Sequence, residues 1–263
     1  MSVGGETDSG PSLSCFFATT PWAGGLFLSE ALRATRRVGD PREYFHPIEL
    51  LQRANRWGVL TTKAEFGRRY LTEVGRVARG PEGVLSINLP WSHQRWLTRI
   101  ARAALPEDPD RPPLRDAEVL ETWYPNARYL YLTRLDKTRQ AAAWYRRRPF
   151  GGALVGGRPG SPHQPDFQEI RWIETLIGRQ ERAWEAYFKV HGIQPHRISY
   201  EALVEETEET VAGVLNWLGL SPMPGRIWLS RVRQERVARP ADWLAAYQEQ
   251  RAQLNQTIGV RQG

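Results

Sequence analysis

The feature that most constrains the fold of this chain is a repeated order of short apolar run, loop and helical pattern. Residues Leu13 to Thr19 (LSCFFAT), Gly83 to Leu89 (GVLSINL) and Arg128 to Thr133 (RYLYLT) predict three buried strands. Apolar residues at helical spacing follow each run, the first of them from Leu26 onward. Because strands that alternate with helices need crossover connections, the sequence predicts an α/β fold with a mostly parallel central sheet flanked by helices.

The second half of the chain adds further predicted elements. Phe167 to Phe188 predicts the longest helix, Arg197 to Tyr200 a short strand, and Val211 to Leu218 another helix. A last long helix is predicted over Ala241 to Leu254. The Gly- and Pro-rich stretch from Arg148 to Pro165 predicts a long loop, which is either a lid over a site or an uninformative surface segment.

Length and composition narrow the class of protein. The 263 residues show no compositional break, so we expect a flexible leader over residues 1–12 and a single domain over residues 13–263. The sequence has no apolar run of about 20 residues and no signal peptide pattern, which predicts a cytoplasmic protein without a membrane partner. One cysteine, Cys15, and scattered histidines argue against a disulfide framework and against a metal site.

The charge of the chain favours an acidic ligand. The formal net charge is +7 and the pI is about 9.8. Carboxylates are interleaved with the arginines throughout, and no zinc-finger or basic-zipper pattern is present, so nucleic acid is not the expected partner. A small-molecule substrate fits better, and homo- or hetero-oligomeric assembly stays open.

The loop from Thr20 to Gly25 has the setting of an anion site, because it joins a predicted strand to a predicted helix. The first amides of a helix have no partner within the helix and lie at the positive end of its dipole. Ligands of parallel sheets bind beyond the carboxyl ends of the strands. We therefore expect this loop to converge with Asn88 to Trp91 and Arg134 to Asp136, which follow the other two strands.

Three segments resemble the bacterial trehalose sulfotransferase-like family. They are Leu26 to Tyr44 (LFLSEALRATRRVGDPREY), Arg134 to Arg147 (RLDKTRQAAAWYRR), and a block that runs from Tyr200-Glu201 to Leu220. The resemblance covers nearly the whole chain in order. It implies a P-loop-like sulfotransferase fold and transfer of a sulfuryl group from the nucleotide donor PAPS to a small-molecule hydroxyl.

The resemblance also implies roles for individual residues. Glu43 falls where the family carries the glutamate that takes the acceptor proton, and a carboxylate suits general-base work. Arg134 is the candidate for the 3′-phosphate of the donor. The chain departs from the family at the donor loop, where Trp22-Ala23-Gly24-Gly25-Leu26 replaces approximately Arg-Ser-Gly-Ser-Thr. Asn88 stands at the position of the family's lysine, while Trp91 of the following turn remains.

Each lost phosphate contact is worth roughly 1.5–3 kcal/mol, so ordinary PAPS use is doubtful and we expect no cofactor. The leading hypothesis is that Glu43 acts as base on a substrate that already carries sulfate, and that sulfate leaves by elimination or ring closure. Asn88 and Trp91 are predicted to line the substrate pocket. The residues predicted to bind the anion are Thr20, Trp22, Gly24, Gly25, Arg42, Arg134 and Arg139.

Two alternatives stay open. The first is a PAPS-dependent sulfotransferase in which other arginines replace the missing cation. The second is a non-catalytic sulfotransferase-like subunit that supports a partner protein, for which Trp22 filling the old donor loop would be suitable. Binding of PAPS or of its product PAP would separate the first alternative from the leading hypothesis.

Overall fold

The computed structural model describes residues 13–59, 63–108, 110, 112–146, 167–221, 247 and 249. The predicted leader (residues 1–12) and the predicted loop from Arg148 to Pro165 lie outside these residues. The predicted helix from Ala241 to Leu254 also lies outside them, apart from two single positions.

Four parallel strands form the central sheet. They are β1 (Leu13–Thr19), β2 (Val84–Pro90), β3 (Ala127–Thr133) and β4 (His196–Ser199), in the order β2-β1-β3-β4. The predicted parallel sheet is confirmed, and the bounds of β1 agree with the prediction. Every residue of β1 is buried because the strand has a neighbour on each side and helices on both faces, which explains why its sequence is mostly apolar.

Helices cover both faces of the sheet, as expected for crossover connections. The helices in the described residues are α1 (Gly25–Ala34), α2 (Pro47–Arg56), α3 (Lys63–Val77), α4 (Trp91–Ala103), α5 (Asp116–Trp123), α6 (Lys137–Arg146), α7 (Phe167–His191), α8 (Tyr200–Glu205) and α9 (Thr207–Trp217). The sequence pattern does not predict α2, α3, α5 and α8. None of the helices in the described residues has the length and apolar character that a membrane span requires.

The two faces of β1 belong to two separate cores. Phe16 and Ala18 pack in a cluster with residues of α3, α4, α5 and α7. Cys15 and Phe17 pack on the other side, in a cluster with residues of α1 and α9. Successive side chains of a strand point to opposite faces, so β1 is the middle layer of a three-layer sandwich. This arrangement places β1 between two packed cores.

Candidate active site

A cleft of about 770 Å³ opens at the carboxyl ends of the strands. Residues that follow β1, β2, β3 and β4 all contribute to it, as the parallel topology requires. Its lining residues are Thr19, Thr20, Pro21, Trp22, Gly24, Gly25, Leu26, Glu43, His46, Asn88, Pro90, Ser92, His93, Arg134, Ala143, Trp144, Arg146 and Tyr200.

The N-terminus of α1 forms one wall of this cleft. Gly24 caps the helix with a φ of 107°, and no side chain caps it. The first amide that bonds within the helix is that of Leu28, which donates to the Gly24 carbonyl oxygen at 3.0 Å. Among the described residues no acceptor takes the preceding amides of the first turn, which are thus available to a ligand at the positive end of the dipole.

Both glycines of this turn are required by close contacts. A Cβ at Gly24 would lie 2.4 Å from the ring of Tyr200, and one at Gly25 would lie 2.9 Å from the side-chain amide of Asn88. The glycines thus allow β2, α8 and the start of α1 to approach each other. The backbone of Gly24, Gly25 and the first turn of α1 therefore forms an anion cradle, and the Tyr200 ring packs against Gly24.

The candidate base, Glu43, is held in the cleft by the attachment of its segment to β2. The Asn88 amide donates to the Arg42 carbonyl oxygen at 3.1 Å, which fixes the segment that carries Glu43 against the strand. The side chain of Asn88 donates through Nδ2 to Glu43 Oε1 at 3.4 Å and accepts from Thr19 Oγ1 at 3.3 Å. Glu43 is therefore linked through Asn88 to the end of β1.

The surroundings of Glu43 favour a base that titrates near neutrality. Burial, helped by the nearby charge of Glu49 and opposed by that of Arg53, raises the pKa of this carboxyl from 4.5 to about 7. The neighbouring Arg42, which is exposed, pairs instead with Asp40 at 2.5 Å. Because the Glu43 side chain keeps 40 % of its surface exposed, it still reaches a ligand in the cleft.

Two histidines lie beside Glu43. His93 is buried, and its Nδ1 lies 3.6 Å from Glu43 Oε2. Burial, together with a smaller contribution from His46, whose ring centroid is 5.0 Å away, lowers the pKa of His93 to about 4. His93 is thus neutral at neutral pH, so the contact is not an ion pair under those conditions.

Arg134 supplies the cation at the end of β3. Its guanidinium lies over the ring of Tyr200, 4.5 Å from the centroid, where burial lowers its pKa. An arginine keeps its charge in such a setting. The carboxylate of Glu201 accepts hydrogen bonds from the amides of Leu135 and Asp136, which fixes the turn that carries Arg134.

The structure brings together most of the predicted site residues. Thr20, Trp22, Gly24, Gly25, Glu43, Asn88 and Arg134 all line the cleft. Three others lie elsewhere. Arg42 pairs with Asp40, Arg139 pairs with Asp136 at 3.2 Å, and Trp91 packs against Trp184 with ring centroids 4.9 Å apart.

His46, His93 and Tyr200 also line the cleft, although no sequence motif assigned them a role. Tyr200 directly follows β4, so the parallel topology alone was a usable signal for it. The two histidines approach Glu43 through tertiary packing and carry no motif. In the described part of the chain, no cluster of His, Cys, Asp and Glu side chains is suited to a metal ion.

The parallel sheet, the backbone cradle and the adjacent carboxyl define an α/β protein with an anion-binding cleft at the carboxyl ends of its strands. A solved structure described as the sulfotransferase domain from the curacin biosynthetic pathway has a similar fold, with a TM-score of 0.51 at 16% identity over 82% of this chain and 77% of the other. The family model described as Stf0 sulphotransferase matches residues 14–250, and the chain belongs to this family.

A curated relative agrees with this membership. The trehalose 2-sulfotransferase of Mycolicibacterium smegmatis (strain ATCC 700084 / mc(2)155) is 25% identical over 232 residues, which cover 76% of this chain and 82% of the relative. The family implied by the sequence resemblance is therefore confirmed.

Proposed function

We propose that this sulfotransferase-like enzyme acts on a small molecule that already carries sulfate, with Glu43 as the base and the α1 cradle as the site of the departing sulfate. The observation that carries the proposal is the shared cleft. The Glu43 carboxyl, whose pKa is raised to about 7, opens into the same cleft as the unbonded first-turn amides of α1. A base and an oxyanion site on one cavity are the two groups that sulfate elimination needs.

The reaction is an elimination or a ring closure. The Glu43 carboxylate takes a proton from a carbon or from a nucleophile of the substrate. The electron pair released forms a double bond or a new ring bond to the carbon that bears the ester oxygen, and that C–O bond breaks. Sulfate leaves with the bonding electrons as a dianion, which the backbone amides and Arg134 stabilise.

The donor loop supports a reaction without PAPS. In the described residues, the loop presents Trp22 and two glycines to the cleft, with no lysine or arginine among Thr20 to Leu26. The side chain of Asn88 is already bonded to Thr19 and Glu43. The loop therefore lacks a cation for the phosphosulfate of a nucleotide, and the proposed reaction does not use PAPS.

A second candidate function is PAPS-dependent transfer to a small-molecule hydroxyl. Arg134 and Arg146 both line the cleft, and its volume of about 770 Å³ leaves room for a nucleotide beside an acceptor. Two arginines are the groups that would replace a missing loop cation.

Calorimetry with PAP and with inorganic sulfate distinguishes the two functions. Under the elimination proposal sulfate binds and PAP binds no more tightly than sulfate. Tight PAP binding would remove the proposal and favour PAPS-dependent transfer.

The role of Glu43 has its own test. We expect Glu43→Gln to lower release of inorganic sulfate from sulfate esters that carry an internal nucleophile by about 10²- to 10⁴-fold. The matched control is Glu49→Gln, which removes a nearby carboxylate on α2 and should leave most of the release intact. A Glu43→Gln enzyme with full activity would exclude Glu43 as the base. Absence of release by the unmodified protein across such esters would favour the non-catalytic subunit.

A further inference from the structure

We infer that Gln140 is a positioning residue that holds the Thr20 hydroxyl as a hydrogen-bond donor to the anion at the N-terminus of α1. The inference rests on one part of the proposed function, namely that a tetrahedral oxyanion occupies this cradle. It does not depend on whether the oxyanion is a departing sulfate or part of a nucleotide donor.

The orientation of the Gln140 amide follows from its contacts. Gln140 lies on α6 and is fully buried. Its Nε2 is 2.8 Å from the carbonyl oxygen of Pro21 and 2.9 Å from Thr20 Oγ1. A backbone carbonyl only accepts hydrogen bonds, so the atom that faces Pro21 must be the amide nitrogen. The two hydrogens of this nitrogen are then directed to Pro21 and to Thr20.

The Thr20 hydroxyl must consequently accept from Gln140, because Nε2 has no lone pair to offer. A hydroxyl has two acceptor positions and one hydrogen, and only an acceptor position is used by this bond. Thr20 is 2% exposed and lines the cleft. Among the described residues, no acceptor takes the hydroxyl hydrogen of Thr20, which is thus left for a ligand oxygen.

Around the N-terminus of α1, the cradle therefore offers only hydrogen-bond donors to a ligand. The α1 amides and the Thr20 hydroxyl all donate, which suits a fully deprotonated tetrahedral oxyanion. A buried hydroxyl without an acceptor costs free energy in the free protein, and a bound oxyanion removes that cost. Gln140 acts through Thr20, since its own Nε2 hydrogens are both used within the loop.

The test is calorimetric titration of inorganic sulfate into the full-length protein and four variants. Thr20→Val removes the hydroxyl at nearly constant volume and should weaken sulfate binding by about 10- to 100-fold, the range for a hydrogen bond to a charged group. Thr20→Ser restores the hydroxyl and should bind nearly as the unmodified protein does. Gln140→Leu should weaken binding, and the double variant Thr20→Val with Gln140→Leu should bind no more weakly than Thr20→Val alone.

A second Gln140 variant distinguishes a lost contact with Thr20 from a loss of folding. Gln140→Glu keeps the size of the side chain but offers an acceptor to Thr20, so the hydroxyl hydrogen turns away from the anion. Sulfate binding should weaken in this variant, and its melting temperature shows whether the fold is kept.

The inference is overturned if Thr20→Val binds sulfate as tightly as the unmodified protein. It is also overturned if the Thr20 and Gln140 effects are fully additive, since a merely structural role predicts that result. Failure of the proposed function gives a different outcome, because tight PAP binding would exclude the elimination while leaving the Thr20 comparison unchanged.

Discussion

The Glu43 carboxyl and the His93 imidazole lie 3.6 Å apart and shift the stability of the protein with pH in opposite directions. The pKa of Glu43 is raised from 4.5 to about 7, so between these values the folded protein keeps a proton that the unfolded chain releases, and stability falls as pH rises. The pKa of His93 is lowered from 6.5 to about 4, so the unfolded chain binds the extra proton there and stability rises with pH. The two contributions oppose each other between pH 4.5 and 6.5.

Single variants should separate these contributions. We expect the melting temperature of Glu43→Gln to rise more steeply with pH between 4.5 and 6.5 than that of the unmodified protein, because only the His93 contribution is left. His93→Gln should show the opposite change, with a melting temperature that falls towards pH 7. The other ionisable groups near this pair, Glu49, Arg53 and His46, are unchanged in both variants. Glu208→Gln, at an exposed position of α9, is the control, and its melting temperature should change with pH as that of the unmodified protein does. If all the variants showed the same pH dependence, the opposing contributions assigned to Glu43 and His93 would be contradicted.

At the scale of elements, the turn before α1 depends on a backbone conformation that only glycine adopts easily. Gly24 has a φ of 107° and lies against the Tyr200 ring, which is 2.4 Å from the position of a Cβ. We expect Gly24→Ala to lower the free energy of unfolding by more than the ~1–3 kcal/mol that such a conformation costs a non-glycine residue, because a steric clash is added. Urea unfolding measures the loss, and sulfate affinity should fall with it.

Gly58 offers the matched control for this prediction. Its φ is 67°, and no atom lies within 4 Å of the position of a Cβ. Gly58→Ala should therefore show the conformational cost alone and leave sulfate binding unchanged. Equal losses in the two variants would mean that Tyr200 moves aside without cost and does not shape the cradle.

The elements that were predictable from the sequence are those whose pattern is set by burial on both sides. β1 and β2 are buried along their whole length and β3 is buried from Tyr129 to Leu132, so their sequences are mostly apolar. The helix α7 carries a regular apolar stripe that ends on Trp184, Tyr187 and Phe188. The helices α2 and α3 were not predicted. Their described buried residues, such as Leu50, Ala54 and Tyr70, are few among many charged ones, so each sequence is mostly polar although its apolar residues lie on one side of the helix.

At the scale of the whole molecule, the parallel topology made most of the site predictable, since it gathers the loops after the strands at one edge. That argument led to Thr20, Gly24, Asn88 and Arg134, all of which line the cleft. It did not lead to His93 or to the Gln140 contact with Thr20, because these depend on how α4 and α6 rotate about their axes when they pack. Helix rotation is fixed by tertiary contacts that leave no local motif.

The same architecture makes Cys15 a probe of global unfolding. It is the single cysteine of the sequence, and it lies fully buried on β1, between β2 and β3. Burial raises the pKa of its thiol, which removes the reactive thiolate in the folded state. A thiol-specific reagent therefore reaches Cys15 only when the sheet opens. We expect Cys15 to be labelled more slowly than an exposed thiol by about 10³-fold or more.

The free energy derived from Cys15 labelling should match the free energy of unfolding in urea, because no smaller opening exposes the central strand. Gly24→Ala should accelerate labelling by the factor that corresponds to its measured loss of stability. Labelling that is insensitive both to urea and to Gly24→Ala would show that β1 opens locally. In that case the carboxyl end of β1 would not be a fixed support for Thr19 and Thr20, whose side chains bond to Asn88 and Gln140.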